Sequence, residues 1–154
     1  MMSLCCKLID LLQGKTLATA ESCTGGGIGA AITAVPGSSS VYVGGVVSYT
    51  NGVKQKLLGV DPGVLEEKGA VSPLVAEAMA MGVRSALEAD IAVSVTGLAG
   101  PGGDDFGNLV GTVYIGYCDA MRCFSEKYIF SGDRVSVREQ ATRAALELVL
   151  RMNG

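Results

Sequence analysis

The sequence predicts an α/β sandwich built around a mixed β-sheet. Segments with helical and strand patterns alternate along the first two thirds of the chain, an order typical of α/β proteins. Two consecutive strands near the end form a hairpin, so at least one strand must be antiparallel. The chain has 154 residues, of which 49% are hydrophobic, and that is enough for one domain with a buried core.

The first fifty residues show two helices and two strands. Residues 2–12 carry leucines at helical spacing, and 16–20 form a short strand. A helix is predicted over 22–35, beginning in a glycine-rich segment and ending before Pro36. Residues 42–49 are rich in Val and Tyr, which favours a strand.

The second half contains the longest helices and the hairpin. Residues 73–87 form a helix in which Ser72 is a candidate N-cap and Pro73 suits the first turn. An apolar strand of the kind buried on both faces follows. The remaining predicted elements are short helices over 51–58 and 62–68, strands over 91–95, 109–118 and 122–130, and a final amphipathic helix over 133–152.

The composition excludes several classes of function. The chain contains no histidine, so no Ser–His–Asp, Cys–His or histidine-ligated metal site can form. The net charge of −3 and the low aromatic content disfavour nucleic-acid binding. No apolar run reaches the length of a membrane span.

The cysteine pattern predicts a cytoplasmic protein. There are five cysteines, two of them adjacent, without a C-x-x-C pair, which fits neither a disulfide framework nor a zinc site. Free thiols in a reducing cytoplasm are therefore expected. The first twelve residues show no cleavage site of a secretion signal.

Three loops follow the carboxyl ends of the predicted strands, where ligands bind in open α/β sheets. They are residues 21–27, 49–54 and 96–107. The first loop leads into the glycine-rich start of a helix, and such a helix start favours binding of an anion such as phosphate. Gly25-x-Gly27-x-x-Ala30 matches a degenerate dinucleotide fingerprint, but no acidic residue occurs between residues 22 and 60 to hold a ribose. A phosphate or substrate pocket, or glycines that serve packing alone, are the two remaining interpretations.

Without histidine, a serine nucleophile needs another base. A lysine serves when burial lowers its pKa, and Lys54 follows a strand end and a turn. Tyr49 ends the same strand, and Ser38, Ser39 and Ser40 precede it. On spacing alone, a solvated lysine and an ordinary serine-rich loop remain the alternative. In the third loop, Asp104 and Asp105 form either a Mg²⁺ contact or a solvated acidic tip.

Seven blocks of sequence resemble the CinA C-terminal domain family, which includes the nicotinamide-nucleotide amidohydrolases, or NMN deamidases. The blocks occur in the family's order and cover nearly the whole chain. They are AESCTGG from Ala20, PGSS from Pro36, YTNGVK from Tyr49, GAVS from Gly69, TGLAGPGG from Thr96, VGTV from Val110 and FSGDR from Phe130.

The resemblance implies a three-layer α/β/α sandwich with a mixed, mostly parallel sheet. It also implies hydrolysis of the carboxamide of nicotinamide mononucleotide (NMN) to nicotinate mononucleotide and ammonia, in pyridine-nucleotide salvage, without metal or cofactor. Carried onto this sequence, the nucleophile is Ser39, the general base is Lys54, and Tyr49 supports the lysine.

The expected substrate contacts lie in the three loops, around the serine cluster and on the final helix. Thr96 matches a substrate-contacting threonine, and two arginines are expected to contact the phosphate. The full set is Thr24, Gly25, Gly37, Ser38, Thr96, Gly97, Ala99, Gly100, Arg134 and Arg138.

The sequence departs from the family before Val110, where it reads Phe106-Gly107-Asn108-Leu109 and the family commonly has a Lys-Pro pair. Two other hypotheses stay open: a nucleotide-binding module without catalysis, and an amidohydrolase for a different amide. The small-molecule substrate is the only expected ligand. The oligomeric state is open, although an apolar chain with a long terminal helix is compatible with a homodimer or a larger homo-oligomer.

Overall fold

The computed structural model describes all 154 residues, and its helices and strands follow the predicted order. The helices are α1 (Met2–Leu11), α2 (Gly27–Thr33), α3 (Asn51–Leu58), α4 (Pro62–Lys68), α5 (Pro73–Ala86) and α6 (Arg134–Asn153), with a 3₁₀ turn at Ser38–Ser40. The strands are β1 (Leu17–Glu21), β2 (Tyr42–Val47), β3 (Ile91–Gly97), β4 (Thr112–Cys118) and β5 (Cys123–Ile129).

The five strands form one sheet in the order β2-β1-β3-β4-β5. β1 pairs in parallel with β2 and β3, whereas β4 is antiparallel to both of its neighbours. Four of the five strands therefore run in the same direction, and the predicted mixed sheet is confirmed. The chain leaves β1 toward one edge and later enters β3 on the other side of β1. The carboxyl ends of β1 and β3 thus flank a topological switch point, where open α/β sheets bind ligands.

Helices cover both faces of the sheet and make the three layers. The larger core packs α1, α2 and α6 on one face, with side chains such as Leu8, Ile28 and Leu148 completely buried. The smaller core packs α3, α4 and α5 on the other face, around Leu58 and Met79. None of the six helices has the length and apolar character needed to cross a membrane.

Side-chain caps explain where most helices begin. Thr50, Asp61, Ser72 and Asp133 each accept a hydrogen bond from a backbone N–H in the first turn of α3, α4, α5 and α6, respectively. The predicted cap at Ser72 is confirmed. The predicted start of α2 at residue 22 is wrong, because α2 begins at Gly27 after a turn in which Gly25 and Gly26 have positive φ.

The expectation of five free thiols is wrong for two cysteines. Cys118 and Cys123 lie directly opposite each other at the end of the β4–β5 hairpin and form a disulfide. Cross-strand pairing brings the two side chains together, which a count of cysteines does not reveal. Cys5, Cys6 and Cys23 are free.

Candidate active site

A cleft of about 430 Å³ opens at the carboxyl ends of β1, β2 and β3. All three loops predicted at this edge contribute to it, together with the loop before α5 and the first residue of α6. The lining residues are Ser22, Cys23, Tyr49, Lys54, Ala70, Val71, Thr96, Gly97, Leu98, Ala99, Gly100, Pro101, Gly102 and Arg134. Lys54 and Arg134 are the only charged residues among them, so the cleft is cationic.

Lys54 projects from the first turn of α3 into the floor of the cleft, and only 1% of it is exposed. Its Nζ lies 2.9 Å from the hydroxyl of Ser22, 2.6 Å from the carbonyl oxygen of Ser48 and 3.4 Å from that of Tyr49. A neutral amine also satisfies this set, when its lone pair accepts the Ser22 O–H and its two N–H bonds donate to the carbonyls.

Burial lowers the pKa of Lys54 from 10.5 to about 8, against a smaller opposing effect of the Cys23 thiol. The cause is desolvation, which penalises the charged ammonium. No carboxylate lies among its hydrogen-bond partners to offset that penalty. About a tenth of Lys54 is therefore neutral at pH 7, and this neutral form can accept a proton.

Ser22 is the hydroxyl that the fold presents to this lysine. It immediately follows β1 and is held by a backbone hydrogen bond to the carbonyl of Val95, on the neighbouring strand β3. The next amide, the N–H of Cys23, donates to no other residue of the chain, which leaves it available to a negatively charged oxygen in the cleft. The Ser22 hydroxyl and the Lys54 amine thus lie within hydrogen-bonding distance, an arrangement that suits a serine nucleophile and its general base.

The glycine-rich start of α2 is already occupied by a carboxylate of the chain itself. Glu21 is buried and accepts hydrogen bonds from the Thr24 hydroxyl at 2.7 Å and from the N–H groups of Gly26, Ile28 and Gly29 at 2.9–3.1 Å. The helix start does favour an anion, as predicted, but that anion is Glu21. Neither Thr24 nor Gly25 lines the cleft, so the fold does not place these two predicted contact residues at it.

The structure does not bring Ser39 to Lys54. Ser39 lies in the exposed 3₁₀ turn before β2, whereas Lys54 follows the other end of that strand. The six residues of β2 separate the two positions by roughly 20 Å at about 3.3 Å per residue. The fold therefore does not form the predicted Ser39–Lys54 pair, and it places Gly37 and Ser38 at the end of the sheet away from the cleft.

The sequence carries a signal for Ser22 that the prediction of Ser39 does not use. The predicted ligand edge is the carboxyl edge of the strands, and Ser22 directly follows a strand while Ser39 precedes one. The same rule that located the three loops selects Ser22 over the serine cluster. The predicted strand ends at residue 20 and the predicted helix begins at Ser22. With those bounds Ser22 belongs to a helix, and its position just after the end of β1 is not apparent.

Tyr49 and Arg134 meet at the mouth of the cleft. The Arg134 guanidinium donates to the Tyr49 hydroxyl at 3.0 Å and to the carbonyl oxygen of Gly100 at 2.7 Å. Tyr49 is 58% exposed, and only its backbone carbonyl contacts Lys54. The tyrosine hydroxyl thus acts at the rim, beside a guanidinium that keeps further donors for an anion.

The third loop supplies one wall of the cleft. Thr96, Gly97, Ala99 and Gly100, four of the predicted contact residues, all line the cleft. The buried Thr96 hydroxyl donates to the carbonyl oxygen of Ala70 at 2.8 Å, which ties the wall to the loop before α5.

Neither the Arg138 guanidinium nor the Cys23 thiol is suited to act directly on a substrate in the cleft. Arg138 lies outside the cleft, where its guanidinium donates to the backbone carbonyls of Cys23 and Thr24 at 2.9 and 3.3 Å. It fixes the turn that carries Ser22. Burial raises the pKa of the Cys23 thiol to about 11, so this cysteine is a neutral thiol and a poor nucleophile at physiological pH.

No group of three or more Cys, Asp or Glu side chains is placed to hold a metal ion. Asp104 instead organises its own loop by accepting hydrogen bonds from the amides of Phe106 and Asn108 and from the Asn108 side chain. Those bonds lower the pKa of its carboxyl, although desolvation acts in the opposite direction.

The comparisons with known proteins agree with this fold. A family model for the CinA C-terminal domain matches residues 3–153. The chain belongs to the CinA C-terminal domain family. A CinA-like protein of Synechocystis is 52% identical over 122 residues, and one of Thermosynechococcus vestitus is 49% identical over 146 residues.

These matches cover 79% and 92% of this chain but only 29% and 35% of the relatives. The chain therefore spans about a third of the length of those CinA-like proteins. Two solved structures correspond over almost their whole length. The competence damage-inducible protein A of Klebsiella pneumoniae is 32% identical with a TM-score of 0.94, covering 97% of this chain and 94% of that one. The competence/damage inducible protein CihA of Agrobacterium tumefaciens is 36% identical with a TM-score of 0.95, covering 99% and 95%.

Proposed function

We propose that this CinA-family chain is an amidohydrolase that converts NMN to nicotinate mononucleotide and ammonia through Ser22 and Lys54. The observation that carries the proposal is the 2.9 Å contact between Lys54 Nζ and Ser22 Oγ, made by a lysine whose pKa is lowered to about 8. A pair of this kind replaces the histidine that the chain lacks. The choice of NMN rests on the resemblance of the seven sequence blocks.

Acylation begins when neutral Lys54 takes the proton of Ser22. The serine oxygen attacks the amide carbon, and the carbonyl oxygen of the amide becomes an oxyanion. The free amide N–H of Cys23 is the proposed donor to that oxyanion, a contribution of about 3 kcal/mol for a well-placed donor. The Lys54 ammonium then protonates the departing nitrogen, the C–N bond breaks, and ammonia leaves an ester on Ser22.

Deacylation repeats the cycle with water. Lys54, neutral again, removes a proton from the water molecule that attacks the ester carbonyl. The Lys54 ammonium returns a proton to the Ser22 oxygen as the ester bond breaks. The carboxylic acid leaves as its carboxylate, with the remaining proton going to solvent, and the dyad is restored.

The charge of the cleft suits a substrate with a phosphate. Arg134 is the one guanidinium that lines the cleft, and two of its N–H groups are used within the chain. We assign its remaining donors to the phosphate and assign no phosphate contact to Arg138. A cytoplasmic location and a role in salvage remain predictions from the sequence.

The test is ammonia release from NMN, measured without added metal for wild type and for Ser22→Ala, Lys54→Met and Ser39→Ala. The proposal predicts release by wild type and Ser39→Ala and none by the other two variants. Folding of each variant is checked by circular dichroism. Release by Ser22→Ala at the wild-type rate would contradict the dyad.

Two other outcomes separate the alternatives. Folded wild type that binds NMN but releases no ammonia would support a binding module without catalysis. If NMN stays intact while a serine-directed phosphonate labels Ser22, the same machinery acts on a different amide.

A further inference from the structure

A second cavity, of about 490 Å³, lies at the end of the sheet opposite the cleft. Ile91, the first residue of β3, lines this cavity, whereas Gly97, the last residue of the same strand, lines the cleft. The length of β3 separates the two by roughly 20 Å, at about 3.3 Å per residue. The cavity is therefore distinct from the candidate active site, and its volume suits a small organic ligand.

Three basic residues from separate parts of the chain line the second cavity. Lys15 lies in the loop between α1 and β1, and Arg84 lies in the last turn of α5. Arg122 lies in the turn between β4 and β5. The fold thus gathers three positive charges at one place that are far apart in the sequence.

The two aspartates that also line the cavity are engaged by neighbouring groups of the chain. Asp90 accepts hydrogen bonds from the N–H and the hydroxyl of Thr16 at 2.8 and 3.1 Å. Asp119 accepts hydrogen bonds from two amides of its own turn, from the Tyr117 hydroxyl and from the Arg122 guanidinium. Of the three basic residues, only Arg122 has a carboxylate as its partner.

Arg84 differs from the other five arginines of the chain. It is half-buried, and its Nε donates to the carbonyl oxygen of Asp90 at 3.0 Å. Its two terminal nitrogens donate to no group of the chain, whereas every other arginine uses at least one of them. No carboxylate, side-chain or terminal, forms an ion pair with Arg84 or Lys15. Free guanidinium N–H groups of this kind match a phosphate, which accepts two of them in parallel.

An apolar surface borders the charged part of the cavity. Met121, in the β4–β5 turn, is 93% exposed and lines the cavity together with Ile91 and Met152. A methionine side chain adapts its shape to an apolar group placed against it. The combination of free cations and exposed apolar surface favours an organic phosphate over a bare inorganic anion.

We propose that the second cavity binds a small phosphate monoester, with the phosphate on Arg84 and Lys15 and the organic group against Met121. A phosphate monoester carries a charge of about −1.5 to −2 at pH 7, which balances the two cations that lack a partner. Because the cavity and the cleft are separate, both can be occupied at once. This inference is independent of the proposed function.

The first test follows the backbone amides by ¹H–¹⁵N NMR while phenyl phosphate, inorganic phosphate or phenol is added. For phenyl phosphate the proposal predicts saturable shifts of the amides of Ala120, Met121 and Arg122, with a dissociation constant below about 1 mM. Inorganic phosphate should shift the same amides with weaker affinity, because it lacks the apolar group. Phenol should not shift them, because it lacks the phosphate.

The second test compares arginine variants that change the net charge equally. Arg84→Gln should raise the dissociation constant for phenyl phosphate at least about tenfold, since charge-assisted hydrogen bonds are lost. Arg143→Gln is the matched control, because Arg143 is exposed on α6 and does not line the cavity; it should bind as wild type does. Lys15→Gln should also weaken binding. Lys15 is exposed and forms no ion pair, so this variant keeps the test valid if Arg84→Gln does not fold.

Absence of saturable shifts at residues 120–122 with millimolar phenyl phosphate would overturn the proposal, as would shifts confined to residues 96–102 of the cleft. An equal loss of affinity in Arg84→Gln and Arg143→Gln would also overturn it, since net charge alone would then explain the binding. Equal affinities for phenyl phosphate and inorganic phosphate would refute the assignment of an ester.

Discussion

Raising the pH from 7 to 9 should increase kcat/KM for NMN about tenfold. The pKa of Lys54 is lowered to about 8 because the side chain is buried, and the neutral form is the proposed base. The neutral fraction then rises from about 9% at pH 7 to about 91% at pH 9, after which the rate is constant. The phosphate of the substrate titrates near pH 6 and adds no change in this range.

The assay is initial ammonia release at low substrate concentration, with a blank lacking protein at each pH. Ser39→Ala provides a matched control and should give the same profile as wild type. A rate that is constant or falls between pH 7 and 9 would refute neutral Lys54 as the base. A rate still rising steeply above pH 10 would show that the lysine keeps its ordinary pKa.

Three further predictions concern residues around the dyad. The stability of wild type relative to Lys54→Met should rise with pH between about 8 and 10.5, by on the order of 3 kcal/mol in urea unfolding, because the unfolded lysine stays protonated in this window while the folded one does not. The opposite slope would refute the lowered pKa. Glu21→Gln should lower the free energy of unfolding by about 2–3 kcal/mol, since a charged acceptor is lost from the start of α2. The control is Glu67→Gln, at an exposed position. An equal loss of unfolding free energy in the two variants would argue against a role of Glu21 in holding the start of α2. Cys23→Ala should keep most of the ammonia release, because burial raises the pKa of that thiol to about 11; complete loss in a folded variant would require a direct role for Cys23.

The sequence predicts the fold well because its signals are local. Helix periodicity, the Ser72 cap and the apolar run of β3 each depend on neighbouring residues. The predicted start of α2 at residue 22 is wrong for a physical reason. The residue that organises it, Glu21, lies six positions upstream and acts through its side chain. The helix propensities of residues 22–26 carry no information about that side-chain contact.

The candidate site was predicted in part. The three loops, Lys54 and Arg134 do meet in one cleft. The hydroxyl that the fold brings to Lys54 is that of Ser22 and not the predicted Ser39. A separation of fifteen residues along the chain does not say which end of a strand a residue occupies. Ser22 is 32 residues from Lys54, and only the parallel pairing of β1 with β2 brings them together. The Cys118–Cys123 pair depends on hairpin register in the same way.

The most direct test of the account is to find which residue a serine-directed phosphonate modifies. Wild type and Lys54→Met are treated at pH 8.5, digested, and the adduct is located by mass spectrometry. The account predicts modification at Ser22 in wild type and little in Lys54→Met, which keeps the hydroxyl but lacks the base. An adduct on Ser39, or equal modification of Ser22 in both proteins, would contradict the Ser22–Lys54 pair.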